Sequence, residues 1–321
     1  MNFRRVFLLT VCVLASLCAV WAQVTGQVGQ ATQSQDQKKQ EDDRQDVISL
    51  ETNLVVVNVT VTDLADKYVR GLRREHFRLS EDKQAQKILS ISFEESPFAA
   101  AILLDCSGSM EYKMTLARAA CTSFVDGIRE GDQFAIYSFA GTQVKQRQPF
   151  GEVKDVGDFV WDLRPDGMTP LYDALVKASE DLLAREEKRR AILLVSDGGD
   201  STSRASLDQA IRKAAEANVT IYCVDLSDRG VFRTTPRDNG AEIMKTLAAK
   251  TGGRFFSTPG GRDLKDAFVQ TVEELRNQYT LTYEPSNEKR DGKWRAIDVQ
   301  LTKPELKARS RQGYYAPKEK K

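Results

Sequence analysis

Histidine is nearly missing from this sequence: His76 is the only one in 321 residues. A histidine-based catalytic pair or a multi-histidine metal centre would have to be built around that one side chain, which excludes most of them. Charge of one sign is missing too. Forty-seven Lys and Arg stand against forty-six Asp and Glu, so no basic field points to nucleic acid or to an anionic membrane surface. Cysteine is scarce. Cys12 and Cys18 lie in an N-terminal apolar stretch, and Cys106, Cys121 and Cys223 form an odd set without paired spacing. That is no disulfide framework. Cys121 and Cys223 sit in apolar patterns and read as small core residues. No long apolar run follows the N-terminal one.

What is present begins with a targeting segment. "MNFRR" supplies positive charge, "VFLLTVCVLASLCAVWA" is apolar, and Val20-Trp21-Ala22 offers small residues for cleavage. Residues 1–22 are therefore expected to be a signal peptide. Its apolar run is short of the ~20 residues of a membrane span, which favours cleavage over an uncleaved anchor. Leu17 before Cys18 is a poor fit to a lipoprotein signal. The mature protein is expected to be secreted or to reside in the periplasm or cell envelope, with no membrane span. Residues 23–46, rich in Gln, Asp and Lys, cannot offset ordering entropy by burial and read as a disordered linker.

From residue 47 to 96 the pattern is β: "NLVVVNVTVTD", "YVRGL", "HFRLSED" and "QKILSISFEE". Four strands are too few for a stable two-layer core. From 97 to 276 buried strands ("FAAAILLD", "RRAILLVSD", "VTIYCVDL") alternate with amphipathic helices. One helix carries Met114, Ala117, Cys121, Phe124 and Ile128; the last carries Leu264, Phe268, Val272, Leu275 and Tyr279. This predicts an α/β fold with a doubly wound, mostly parallel sheet covered by helices. Residues 277–316 return to β, leaving 317–321 as a tail. The two flanks are expected to form one small β-sandwich into which the α/β domain is inserted. The run "REEKRR" reads as a solvated helix end, His76 as a surface residue, and Asp225 as a turn acid.

In a doubly wound sheet, ligands bind at the carboxyl ends of the strands where the order reverses. Two strands end there in acid, Asp105 and Asp197; Ser107 and Ser109 follow the first, and Thr169 heads a helix opening at the same face. Five oxygen-bearing side chains from three loops suit a hard cation that keeps some waters, such as Mg²⁺. Taken singly each has a plainer reading: Ser107 or Ser109 as a helix cap, Thr169 before Pro170 as another, and Asp197-Gly198-Gly199 as a turn.

The ordered set Asp105-Cys106-Ser107-Gly108-Ser109, Thr169 and Asp197 in "VSDGGD" resembles the metal-ion-dependent adhesion site of von Willebrand factor type A (VWA) domains, over the whole of 97–276. The resemblance implies that Ser107, Ser109 and Thr169 offer hydroxyl oxygens to the metal and that Asp105 and Asp197 act through bound water. Cys106 then fills the variable position. The flanks are similar to those of a secreted bacterial VWA-related family common in acidobacteria, with departures. Lys83 stands where that family often has glycine, and Glu75-His76 precedes the phenylalanine in place of a more usual acidic residue.

The function implied is a secreted, Mg²⁺-dependent binding module, with Mn²⁺ or Ca²⁺ as other candidate ions. A metal held by neutral hydroxyls stays electrophilic and accepts a carboxylate from a partner protein or surface polymer. The competing classes are a metal-dependent hydrolase or phosphotransfer enzyme and an envelope protein with a purely structural metal. Against an enzyme, no phosphate-cradling glycine loop and no nucleophile–histidine pair is present.

Overall fold

The computed structural model describes residues 54–93, 96–152, 156–227, 239–257 and 261–319, all within one compact unit, Asn53–Lys321. The expected signal peptide and linker, residues 47–53 and residues 320–321 lie outside the described residues.

The N-terminal β region contains β1 (Val55–Thr62), β2 (Phe77–Glu81), β3 (Gln84–Gln86) and β4 (Ile88–Ser92). The β-branched run of β1 suits a pleated, buried surface. "YVRGL", expected as a strand, contributes only the bridge from Tyr68 to Thr62, with Gly71 at φ 77° interrupting the extended chain. The turn between β2 and β3 holds Asp82 and Lys83 at φ 48° and 69°, the left-handed region that a two-residue hairpin requires. Asp82 anchors that turn by accepting a hydrogen bond from the Ala296 N–H at 2.9 Å.

The central sheet is made of β5 (Phe98–Asp105), β6 (Gln133–Ala140), β7 (Gln143–Gly151), β8 (Arg189–Ser196), β9 (Val219–Asp225) and β10 (Phe255–Ser257). Their spatial order is β10-β9-β8-β5-β6-β7, parallel throughout except for antiparallel β7 at one edge. Helices α1 (Met114–Asp126), α2 (Phe159–Asp162), α3 (Leu171–Leu183), α4 (Leu207–Glu216), α5 (Gly240–Thr251) and α6 (Gly261–Arg276) cover it. The uninterrupted apolar run of β5 follows from coverage on both faces. Phe98, Ala100, Ile102 and Leu104 pack with α1 and α6, including Phe124 and Phe268. Ala99, Ala101 and Leu103 pack with α3, α4 and α5, including Leu175 and Leu247. Such two-sided burial is what makes parallel strands read as continuous hydrophobic runs.

The C-terminal region adds β11 (Gln278–Tyr283), β12 (Trp294–Leu301), β13 (Lys307–Ser310) and β14 (Gly313–Tyr315). Both flanks interleave in two four-stranded antiparallel sheets, β13-β1-β11-β4 and β14-β12-β2-β3. Their inner faces share one core that includes Val57, Val59, Leu79, Leu281, Tyr283 and Ile297. The α/β domain is thus inserted in a sandwich to which neither flank contributes a complete sheet. The stretch "KARSRQGYY" supplies two strands, in opposite sheets, with Arg311 and Gln312 at the crossing.

Two expectations are corrected at the junction. The last helix ends at Arg276, and Tyr279 belongs to β11, where its hydroxyl donates to Val69 O at 2.9 Å and accepts from Leu72 N. Within "REEKRR", Arg189 is not solvated. It is buried and donates to the carbonyls of Leu275, Arg276 and Gln278 at 3.2, 3.2 and 2.8 Å. The carbonyls of Leu275 and Arg276 leave the last helical turn unpaired, so a buried guanidinium with several donors satisfies them together with that of Gln278 at the start of β11. The same helix end carries Glu274, fully buried between Arg254 and Arg309 and accepting from the Tyr222 hydroxyl at 2.8 Å. Arg276 pairs with Asp132. The sandwich also grips α4 and α5 directly. Arg212 stacks on Tyr315 at 3.6 Å and Lys250 on Trp294 at 5.1 Å, a cation–π arrangement. Gly252, at φ 81°, ends α5 so close to the crossing that a Cβ there would lie 2.5 Å from Arg311 N.

Candidate functional site

β5 delivers Asp105 to the carboxyl edge of the sheet, wholly buried. Its Oδ1 accepts from Ser107 N at 2.8 Å, and its Oδ2 accepts from the Ser196 hydroxyl at 2.5 Å. Burial pushes the Asp105 carboxyl up to about 6, the charge of Asp197 adds to the rise, and the bonds from Ser196 and Ser107 oppose it. The chain then makes a single 3₁₀ turn, Gly108–Met110, that drives Met110 into the core. The Ser107 and Ser109 hydroxyls come to lie 3.1 Å apart.

Thr169 enters from the loop between α2 and α3. Gly108 N donates to Gly167 O at 3.0 Å, and Asp166 N donates to Cys106 O at 2.8 Å, so this loop is bonded to the one that carries the two serines. On the other side, Thr169 N donates to the Ser201 hydroxyl at 2.8 Å, and Ser201 N donates to Thr169 O at 2.9 Å. The third loop is thereby attached. At its head Asp197 accepts from Lys113 Nζ at 3.3 Å, and Gly198 N donates to the Ser196 hydroxyl at 2.9 Å. Gly198, at φ 89°, packs so tightly on α5 that a Cβ would sit 2.6 Å from the Gly240 carbonyl carbon. All five residues thus stand on three loops at one sheet edge, joined by hydrogen bonds between their backbones.

The helix-cap readings do not hold. Neither the 3₁₀ turn headed by Ser107 nor α1 has a side-chain cap, and at α3 the cap position is taken by Pro170, not Thr169, with no side-chain cap. The first N–H groups of α3 are met from another loop: Tyr172 N donates to Asp200 Oδ1 at 3.2 Å and Asp173 N to the Ser203 hydroxyl at 3.1 Å. The hydroxyls of Ser107, Ser109 and Thr169 are therefore not consumed as caps. With Asp105 and Asp197 they bring only oxygen-bearing side chains to this edge, the residue chemistry that suits a hard divalent cation. Among the described residues no group of three or more His, Cys, Asp or Glu side chains gathers. The five residues at this edge offer hydroxyls with a minority of acids.

The remaining candidates fall elsewhere. Asp225 accepts from Ser227 N at 2.8 Å, the turn expected of it. His76 sits in a 3₁₀ turn before β2, its Nδ1 accepting from Arg73 N at 2.9 Å. Cys106, Cys121 and Cys223 are buried free thiols; burial pushes Cys106 and Cys121 up to about 12 and raises Cys223 as well. None is a thiolate nucleophile near neutral pH. Ser196, Ser201, Ser203, Asp200 and Lys113 join the site only through the fold. The signal was there in part: "SDGGDSTS" is dense in hydroxyls and acids around Asp197, and such residues favour local side chain–backbone bonds.

Residues 101–270 match the family model of the von Willebrand factor type A domain, just over half of the chain. Among solved structures, the chain is similar to a von Willebrand factor type A protein from Catenulispora acidiphila, with 14% identity over 82% of this chain and 72% of that one and a TM-score of 0.47. It is also similar to the vWF domain of the type V pili tip protein Mfa5 from Porphyromonas gingivalis, with 14% identity, 56% and 95% of the two chains covered, and a TM-score of 0.46. A third is an aerotolerance-related membrane protein from Bacteroides fragilis, with 17% identity, 56% and 99% covered, and a TM-score of 0.43. No curated protein matches the sequence. On the strength of the family match over 101–270, the chain belongs to the von Willebrand factor type A domain family.

Proposed function

We propose that this is an exported binding protein whose VWA domain, a module that typically mediates protein–protein interaction, recruits an acidic partner through a divalent cation, Mg²⁺ foremost. Ser107, Ser109 and Thr169 would offer hydroxyl oxygens to the ion, and Asp105 and Asp197 would balance its charge. The observation that carries the reading is that the Ser107 and Ser109 hydroxyls lie 3.1 Å apart just past a buried, hydrogen-bonded Asp105, on a loop bonded to the one that carries Thr169, and that none of the three serves as a helix cap. A divalent ion held by so few carboxylates supplies a position still open to a carboxylate from another molecule.

The chain's own residues do the rest. Ser196 and the Ser107 amide fix both oxygens of Asp105. Ser201 fixes the backbone of Thr169. Tyr112 and Met168, 91% and 53% exposed, stand one residue from Lys113 and Thr169, and offer apolar contact to a partner beside its carboxylate. Export rests on the charged and apolar N-terminal segment. Among the described residues no helix is long and apolar enough to cross a membrane.

The test is calorimetric titration of Mg²⁺ and Mn²⁺ into the wild type and Asp105→Asn, followed by capture of envelope proteins on both with Mg²⁺ or EDTA. Ion binding and EDTA-sensitive capture by the wild type alone are expected. Capture that is equal in all four conditions would overturn the reading.

A further inference from the structure

Lys113 stands immediately before α1, four residues beyond Ser109 and on the same loop. Its ammonium crosses to the end of β8 and lies 3.3 Å from Asp197 Oδ2, with only 12% and 14% of the two side chains exposed. The loop of the two serines is therefore already tied to the third loop by a cation that belongs to the chain. A bound divalent ion would tie the same two loops through the same carboxylate. We propose that Lys113 is a tethered competitor of the divalent cation: its ammonium neutralises Asp197 in the metal-free protein and must yield that carboxylate when the ion binds.

This inference rests on the metal reading of the five residues. A lysine fixed to the neighbouring loop has a high effective concentration at Asp197, so it competes without the cost of bringing a free ion there. If it stays nearby, it also repels the dication, and at 12% exposure that repulsion is only partly screened. Either way, Lys113 raises the concentration of free divalent ion at which the face binds a partner. Without an ion it also supplies a counter-charge to an Asp197 side chain that is only 14% exposed. Lys113 is thus a positioning residue that sets metal affinity.

The test uses the whole protein as Lys113→Met, which keeps the apolar stem, and Lys113→Arg, which keeps the charge. In calorimetric titration, Lys113→Met is expected to bind Mg²⁺ at least about tenfold more tightly than the wild type, and Lys113→Arg within about threefold of it. In EDTA, Lys113→Met is expected to melt below the wild type and to gain more from added Mg²⁺. Mg²⁺ binding to the wild type that is unchanged or weakened in Lys113→Met overturns the Lys113 assignment alone. Absence of Mg²⁺ binding in both proteins overturns the metal reading and the competitor role with it.

Discussion

The Ser196 hydroxyl donates to Asp105 Oδ2 at 2.5 Å and accepts from Gly198 N at 2.9 Å, all three groups being buried. One hydroxyl thus joins the ends of β5 and β8 at the point where the sheet reverses its order. Replacing it with methyl leaves a carboxylate oxygen and an amide unpaired in the interior. Ser196→Ala is expected to lower unfolding free energy by about 1–3 kcal/mol in urea titrations with EDTA present. A change under about 0.5 kcal/mol would mean that water replaces the hydroxyl.

The pH response of the metal-free protein follows from Asp105. Its carboxyl is raised by burial from the ordinary 3.8 to about 6. The folded state therefore holds the proton more tightly than the unfolded chain does. The stability this contributes is fully present below about pH 4 and is lost as pH rises through 6, an amount up to about 3 kcal/mol. Measured against Asp105→Asn in EDTA, the wild type is expected to lose relative stability between pH 4 and 6.5. Because a cation favours the carboxylate, the Mg²⁺-induced rise in Tm should be larger at pH 7.5 than at pH 5. Equal shifts at both values would contradict this.

Arg189 offers a test of the junction between the α/β domain and the sandwich. Its guanidinium satisfies three carbonyls around the end of α6 and the start of β11. Arg189→Met keeps the packing volume but orphans those groups, and should cost about 3 kcal/mol or more in equilibrium unfolding. A loss below about 1 kcal/mol would show that the helix end relaxes to find other partners.

The α/β layer was legible because its signals are local. β5 is apolar at every position from Phe98 to Leu104, and that pattern needs only coverage on both faces to be understood. The order of Asp105, Ser107 and Ser109 is likewise carried by one loop. What escaped depended on partners far along the chain. Arg189 looks solvated within its charge run, and the carbonyls that bury it lie 86 to 89 residues away. Tyr279 continues the spacing of Leu275 by one helical turn, yet the helix ends at Arg276 and the next strand takes it. Thr169-Pro170 has the local signature of a helix start, but Asp200 and Ser203 meet the N–H groups of α3 instead. Lys113 carries no local signal; only the fold brings it to Asp197.

The metal-binding role of this edge is tested most directly by Thr169→Ala, through melting in EDTA and calorimetric titration of Mg²⁺. Its backbone is held by Ser201 and its hydroxyl does not cap α3. The metal-free variant is therefore expected to melt within about 0.5 kcal/mol of the wild type, while Mg²⁺ affinity falls at least about tenfold. A metal-free loss of about 1 kcal/mol, the size of a lost cap, with Mg²⁺ binding unchanged or absent from the wild type, would contradict the account.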